Sequence, residues 1–358
     1  MIDERNFVID QVDCVNPVHS ISITDVSGRK RSLQICIGDA TDTTRSGPVD
    51  ILAISCFPDD YLPLPRTIVG QLKVQGINVA DLAQNKAVDD RARWQTWISH
   101  SLGFGASFGR IACFEHGFDH KPSGVVGNLF RALTGFALAR GNRELGIVRL
   151  PLLATGDQQA DKGEMLDAMV RQAYNQLRLS LPVQTVQIVI YQGWPNATEL
   201  AIRAALTARQ VQDEWAAMNL SSDPEFDFFL SYRRADRGLA QKLLGGLRVR
   251  QPGLNIFLDE EALPCGVFWK PRLVGSIYNS SRFLCLITDS YADSGECIDE
   301  FHAALSCGRH RSNFLCPLQA LSHRTVEGLP PAIRSLNLID ARCPPRHLDD
   351  ILDAVLAP

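Results

Sequence analysis

FDFFLSYRR, residues Phe226–Arg234, decides how the second half of this chain folds. An apolar run of strand length ends abruptly in Ser231, Tyr232, Arg233 and Arg234; a helix-period segment follows, then a second short apolar run that ends in Asp259. In an open parallel α/β sheet ligands bind where strands end, so polar residues collected at such ends mark a candidate site.

Outward from that stretch the same unit repeats. FDFFLSY (226–232), LNIFLD (254–259), RFLCLIT (282–288), NFLCPL (313–318) and SLNLID (335–340) read as strands, and 236–250, 268–279, 296–308, 328–334 and 346–356 as helices. Strands alternating with helices predict a doubly wound, flavodoxin-like parallel sheet of five strands. RFLCLIT lacks alternation, as a strand covered on both faces should.

The first half is patterned differently. HSISITDVSGRKRSLQICIGD reads as two alternating strands around a turn at Val26–Gly28, and 48–56, 110–115, 147–153 and 185–192 as further strands. Helical periodicity covers 64–74, 91–101, 123–140 and 163–179, which together predict a mixed-sheet α/β domain. The expected divisions are a first domain over 1–196, a helix and polar linker over 197–225, and a second domain over 226–358.

Composition is that of an ordinary globular chain: 358 residues, 45% hydrophobic, 21% charged, net charge −4. That balance gives no electrostatic case for nucleic acid or an anionic membrane as main partner. No apolar stretch reaches membrane-helix length, and MIDERNFVID has acids where a secretory signal carries bases. The ten cysteines form no CxxC, so no metal site is expected, and reduced thiols in a cytoplasmic protein are.

Taken singly, the polar residues at the strand ends have bland readings beside sharp ones. Arg233 and Arg234 either start a solvated loop or grip phosphate bidentately. Asp259 is a turn residue or part of a site. The loop after it carries Phe268 and Trp269, which could present ring faces to a planar ligand. Glu296, Asp299 and Glu300 near a helix start suit the macrodipole, whatever else they do. His302 has no identifiable partner.

Several boxes, in order and at matching separations, resemble a TIR (Toll/interleukin-1 receptor) domain over the whole second half. FDFFLSYRR is similar to the family's first-strand box. FLDEEALPCGVFW resembles the second-strand box and the loop after it, with Asp259, Leu263, Gly266 and Trp269 in the family's positions. ECIDEFHAALSCG resembles the segment where NAD-cleaving members carry a catalytic glutamate, which falls on Glu300; Glu296 departs from the tryptophan many members have there. The resemblance implies Glu300 as the catalytic residue and Ser231, Tyr232, Arg233, Asp259, Phe268 and Trp269 as substrate-binding residues. NAD would be the substrate, with no separate cofactor, and TIR domains would self-associate. One carboxylate suffices for that chemistry. The nicotinamide leaves a cationic C–N bond as a neutral molecule and needs no acid, unlike a glycosidic oxygen.

Three fragments of the first half resemble a macro domain, a fold that binds ADP-ribose: IGDATD (37–42), PVDILAISC (48–56) and LPLLATGDQQADKGEML (150–166). This implies a ligand loop involving Asp39, Thr155, Gly156 and Asp157 and a nucleotide-type or protein trigger. The family's asparagines are replaced by Ser55, Cys56 and Phe57, and its glycine stretch is missing; GFGASFG (103–109) could serve in its place but follows a different element. Together the resemblances imply an NAD-cleaving TIR effector, linear or cyclic in product and bacterial and anti-phage in setting, under control of the first domain. A non-enzymatic TIR scaffold that recruits other TIR proteins is the alternative.

Overall fold

A computed structural model describes residues 15–43, 48–103, 105–117, 121–140, 143–179, 181–217, 224–258, 269–308, 311, 313–323, 325–334, 336–342 and 348–357. The first sheet has eight strands in the order β1-β2-β8-β7-β3-β6-β5-β4. These are β1 (Asn16–Thr24), β2 (Lys30–Gly38), β3 (Val49–Cys56), β4 (Lys86–Asp90), β5 (Thr96–Ser99), β6 (Phe108–Glu115), β7 (Leu145–Pro151) and β8 (Val183–Tyr191). Its middle is parallel, from β2 through β8, β7 and β3 to β6, and antiparallel strands close both edges. The mixed sheet is as the sequence pattern predicts.

The helices of this half are α1 (Ile68–Val74), α2 (Val79–Gln84), α3 (Arg91–Trp94), α4 (Pro122–Ala139), α5 (Lys162–Arg178) and α6 (Ala197–Ala216). The helix predicted over 91–101 is instead the short α3 followed by β5. Trp94, Trp97 and Ile98 have helical spacing, but Gln95 takes a left-handed φ of 54° and ends the helix, and β5 is buried along its whole length. α6 packs on α5 and against β1 and β2, so it covers the first sheet. GFGASFG joins β5 to β6 as an antiparallel turn, with the Leu102 amide donating to the Gly109 carbonyl, so it lies at the start of β6. It cannot stand in for a phosphate loop at the other end of the parallel strands.

The second sheet is parallel throughout, in the order β10-β9-β11-β12-β13. Its strands are β9 (Phe226–Ser231), β10 (Ile256–Leu258), β11 (Ser280–Ile287), β12 (Leu315–Gln319) and β13 (Ile339–Asp340). α7 (Arg237–Arg250) and α11 (Leu348–Leu356) cover one face through Phe228, Leu230, Leu284 and Leu286. α8 (Trp269–Tyr278) and α9 (Gly295–Gly308) cover the other through Phe229, Phe283 and Ile287; α10 (Pro331–Arg334) completes the half.

α4 joins the two halves. Buried residues occur round most of it, among them Val125, Leu129, Phe130, Leu133, Thr134 and Leu138, and its exposed residues lie at its two ends, as expected of a helix packed between two layers. It packs on the first sheet side and against α9 and α10 on the other, and one hydrophobic core runs from the first sheet through α4 to β9 and β11.

Candidate functional site

In the second sheet the chain leaves β9 to one side, for β10, and returns to the other, for β11. The crevice between the C-terminal ends of β9 and β11 is therefore the topological switch point, where such sheets bind ligands. Ser231 ends β9 and stands in register with Cys285 on β11. Alternation turns Ser231, like Phe229, toward α9, and Tyr232 toward the α7 and α11 side, where it packs with that core.

Glu300 comes to the crevice from the second turn of α9 and is 6% exposed. The Ser231 hydroxyl donates to its Oε2 at 2.6 Å, and the Tyr291 hydroxyl lies 2.8 Å from the Ser231 Oγ and 3.2 Å from the Cys297 carbonyl. The Ser231 hydroxyl has a single proton, and the bond to Glu300 uses it. Burial, reinforced by the charge of Glu300, pushes the Cys297 thiol up to about 12 and holds the Cys285 thiol and the Tyr291 phenol well above their ordinary values. These neighbours stay neutral near physiological pH. A carboxylate among neutral, water-poor surroundings acts strongly on a cation brought beside it.

Arg233 reaches the rim. Its Nη1 donates to the Ser294 Oγ at 3.0 Å and to the Glu296 Oε2 at 3.3 Å, which ties the end of β9 to the start of α9. Both charged side chains of that pair are substantially solvent-exposed, 45% for Arg233 and 65% for Glu296. Asp236 accepts from Thr288 and Ser290, each at 2.6 Å, and fastens the approach to α7 to the segment after β11. Asp259 and Phe268, with Leu263 and Gly266, lie outside the described residues. Trp269 opens α8, and its side chain also lies outside them.

Of the residues expected at this site, the structure thus brings Ser231, Arg233 and Glu300 together and puts Tyr232 on the opposite face of the sheet. Tyr291 is the member that sequence reading passed over. Its signal was an aromatic residue with a hydroxyl just beyond a strand buried over its last five residues, a position that requires a polar partner.

The first sheet has its own switch point, since the chain leaves β3 for β6 and then crosses back to β7. There the Gln158 amide donates to the Cys56 carbonyl at 2.9 Å and to the His116 carbonyl at 2.7 Å, and the Ala154 amide donates to the Ser55 Oγ at 2.9 Å. The loop after β7 is thereby laid across the ends of β3 and β6. Thr155 and Gly156 line an open cavity of about 580 Å³ together with Lys162, Asn196 and Arg203. Asp39 and Asp157 are not among its lining residues. The Asp39 carboxylate instead accepts from the Thr41 amide and hydroxyl, at 2.8 and 2.7 Å, in a loop pinned by the buried Arg149 through the carbonyls of Ala40 and Asp42. No group of three or more potential metal ligands occurs among the described residues. No described helix is long and apolar enough to cross a membrane.

Residues 228–353 match the family model of the TIR domain. None of the curated proteins matches the chain. Among solved structures, the chain is similar to a metazoan TIR-STING receptor from C. gigas, at 26% identity and a TM-score of 0.30, over 39% of this chain and 43% of that one. It therefore spans less than half the length of that receptor. It is also similar to the Oceanobacillus iheyensis macrodomain with ADP, at 13% identity and a TM-score of 0.38, and to the same macrodomain with MES bound, at 12% and 0.37. These cover 55% and 54% of this chain and 98% of each macrodomain.

Proposed function

We propose that the second half of this chain cleaves NAD at the nicotinamide–ribose bond, with Glu300 as the catalytic residue. The observation that carries this reading is the hydrogen bond from Ser231 to Glu300, which holds a nearly buried carboxylate at the switch point of a parallel sheet. A structural acid would sit more cheaply at the surface, because burying a carboxylate is costly unless its partners repay it.

In the proposed reaction the electron pair of the C–N bond leaves with nicotinamide, which departs neutral. The ribose is left as an oxocarbenium ion, and Glu300 stabilises it electrostatically while fixing a ribose hydroxyl. Water then captures the cation and releases a proton, giving linear ADP-ribose; capture by the adenine ring gives the cyclic product. Arg233 at the rim is suited to the diphosphate, for which it exchanges its exposed contact with Glu296. The resemblance adds Asp259, Phe268 and Trp269 to the substrate contacts. The first domain is read as the sensor of a nucleotide-type or protein trigger, and self-association of the TIR halves as the step that completes the site. The setting proposed is cytoplasmic, in bacterial anti-phage defence.

The test is nicotinamide release from NAD by the full-length protein, at concentrations that promote assembly, beside its Glu300→Gln variant. Release by the wild type that disappears in the variant supports the enzyme. Release that persists in the variant removes Glu300 from the chemistry. Absence of release in every assembled form favours the scaffold.

A further inference from the structure

Asp299 is the neighbour of Glu300 on α9, and its carboxylate is held from the other domain. Arg131 of α4 donates to it through Nε at 3.0 Å and Nη2 at 2.9 Å. The pair is largely enclosed, with side chains 15% and 7% exposed. Gly295, Asp299 and His302 fall on one side of α9 at helical spacing, and all three meet α4. A Cβ on Gly295 would come within 2.8 Å of the Arg131 Cζ, and the His302 ring packs over Gly135.

Arg131 is itself fixed by its own domain. Its Nη1 donates to the Asn128 Oδ1 at 2.9 Å, and Asn128 donates to the Gln95 Oε1 at 3.3 Å. The Gln95 carbonyl accepts from the Glu115 amide at 2.7 Å, at the end of β6. The guanidinium also lies over the Trp94 ring, 5.2 Å from its centre. A planar fork bonded to a carboxylate by two parallel hydrogen bonds sets direction as well as distance. Setting Asp299 sets the rotation of α9 about its axis, on which the aim of Glu300 depends.

We propose that Arg131 is a positioning residue: by its paired bonds to Asp299, the first domain sets the orientation of α9 and so of the Glu300 carboxylate toward Ser231. This rests on the reading of Glu300 as the reacting acid.

The experiment uses full-length Arg131→Ala, Arg131→Lys and Asp299→Asn proteins with two readouts, amide hydrogen exchange along α9 and the kinetics of nicotinamide release. In Arg131→Ala the α9 amides should exchange at least about tenfold faster while those of β11 keep wild-type protection. Its kcat should fall by about tenfold or more, with KM within about twofold, because a displaced catalytic group costs turnover rather than binding. Lysine, which keeps charge without the fork, should recover only part of the loss. If β11 also loses protection in Arg131→Ala, the milder Asp299→Asn decides by the same criteria. Unchanged α9 exchange overturns the proposal, as does faster exchange with kcat equal to or above wild type. A wild-type protein that releases no nicotinamide defeats the functional reading alone, and α9 exchange then decides whether Arg131 fixes the helix.

Discussion

The two sheets of this protein reach the same topological situation and fill it in opposite ways. At the β9/β11 crevice a carboxylate approaches from a helix, accepts one hydroxyl proton and is surrounded by groups that burial keeps neutral. At the β3/β6 crevice a neutral amide from the loop after β7 bonds two main-chain carbonyls and lies across the strand ends. Topology supplies a gap in both. In the first, a hydroxyl holds a carboxylate in place; in the second, a neutral side chain bridges the strand ends.

That contrast breaks most decisively at Glu300. Glu300→Gln should lower nicotinamide release by about a thousandfold or more, whereas Gln158→Ala in the other crevice should leave it within about twofold. Equal losses in both variants would mean that the two crevices work as one. The contact between the halves supplies the next largest effect. Burial, with Arg131 adding to it and Asp299 opposing it, pushes the His302 imidazole down to about 4, and its Nδ1 has no hydrogen-bond partner among the described residues. The unfolded chain therefore takes up a proton near the ordinary histidine value while the folded chain does not. Stability present above about pH 6.5 is lost as pH falls toward about 4, by up to roughly 3 kcal/mol. Urea unfolding of wild type and His302→Asn at about pH 7 and pH 4.5 checks this, and the variant should show the shallower fall.

Smaller effects sharpen the comparison. Ser231→Ala removes a hydrogen bond to a charged group and should reduce kcat by about ten- to a hundredfold, read from single-turnover release. Gln158→Ala removes the bridge between the Cys56 and His116 carbonyls, the first of which keeps its bond from the His116 amide, and should cost about 1 kcal/mol of unfolding free energy; an unchanged value would mean that water already fills this crevice. Least of all, Glu296→Ala should change stability by less than about 1 kcal/mol, since its bond to Arg233 is solvent-exposed. Its effect belongs in KM for NAD, which should drop if freeing Arg233 favours the diphosphate.

The second sheet was legible because each of its strands is a short apolar run closed by polar residues and separated by one helical period. β11 in particular declared its burial by lacking alternation. The pairing of Ser231 with Glu300 was legible through box order, yet the turn of Tyr232 to the other face follows from plain strand alternation and needed only the register. The region 91–101 was misread because Trp94, Trp97 and Ile98 fit a helix and a strand equally well, and the left-handed Gln95 that separates them leaves no mark in composition. Arg131 and Asp299 were beyond reach. An arginine in one half and an acid in the other share no local pattern, and only the packing of α4 on α9 brings them within 3 Å.

A helix packed against both halves leaves no clean surface at which the molecule can be cut. Severing the chain ahead of β9 would strip α4 from α9 and leave Asp299 and the His302 flank bare, so the second half alone should aggregate where the intact protein does not. Exchange of either half with an unrelated partner would then have to carry α4 along, which makes that helix the shared property of both halves rather than a part of one.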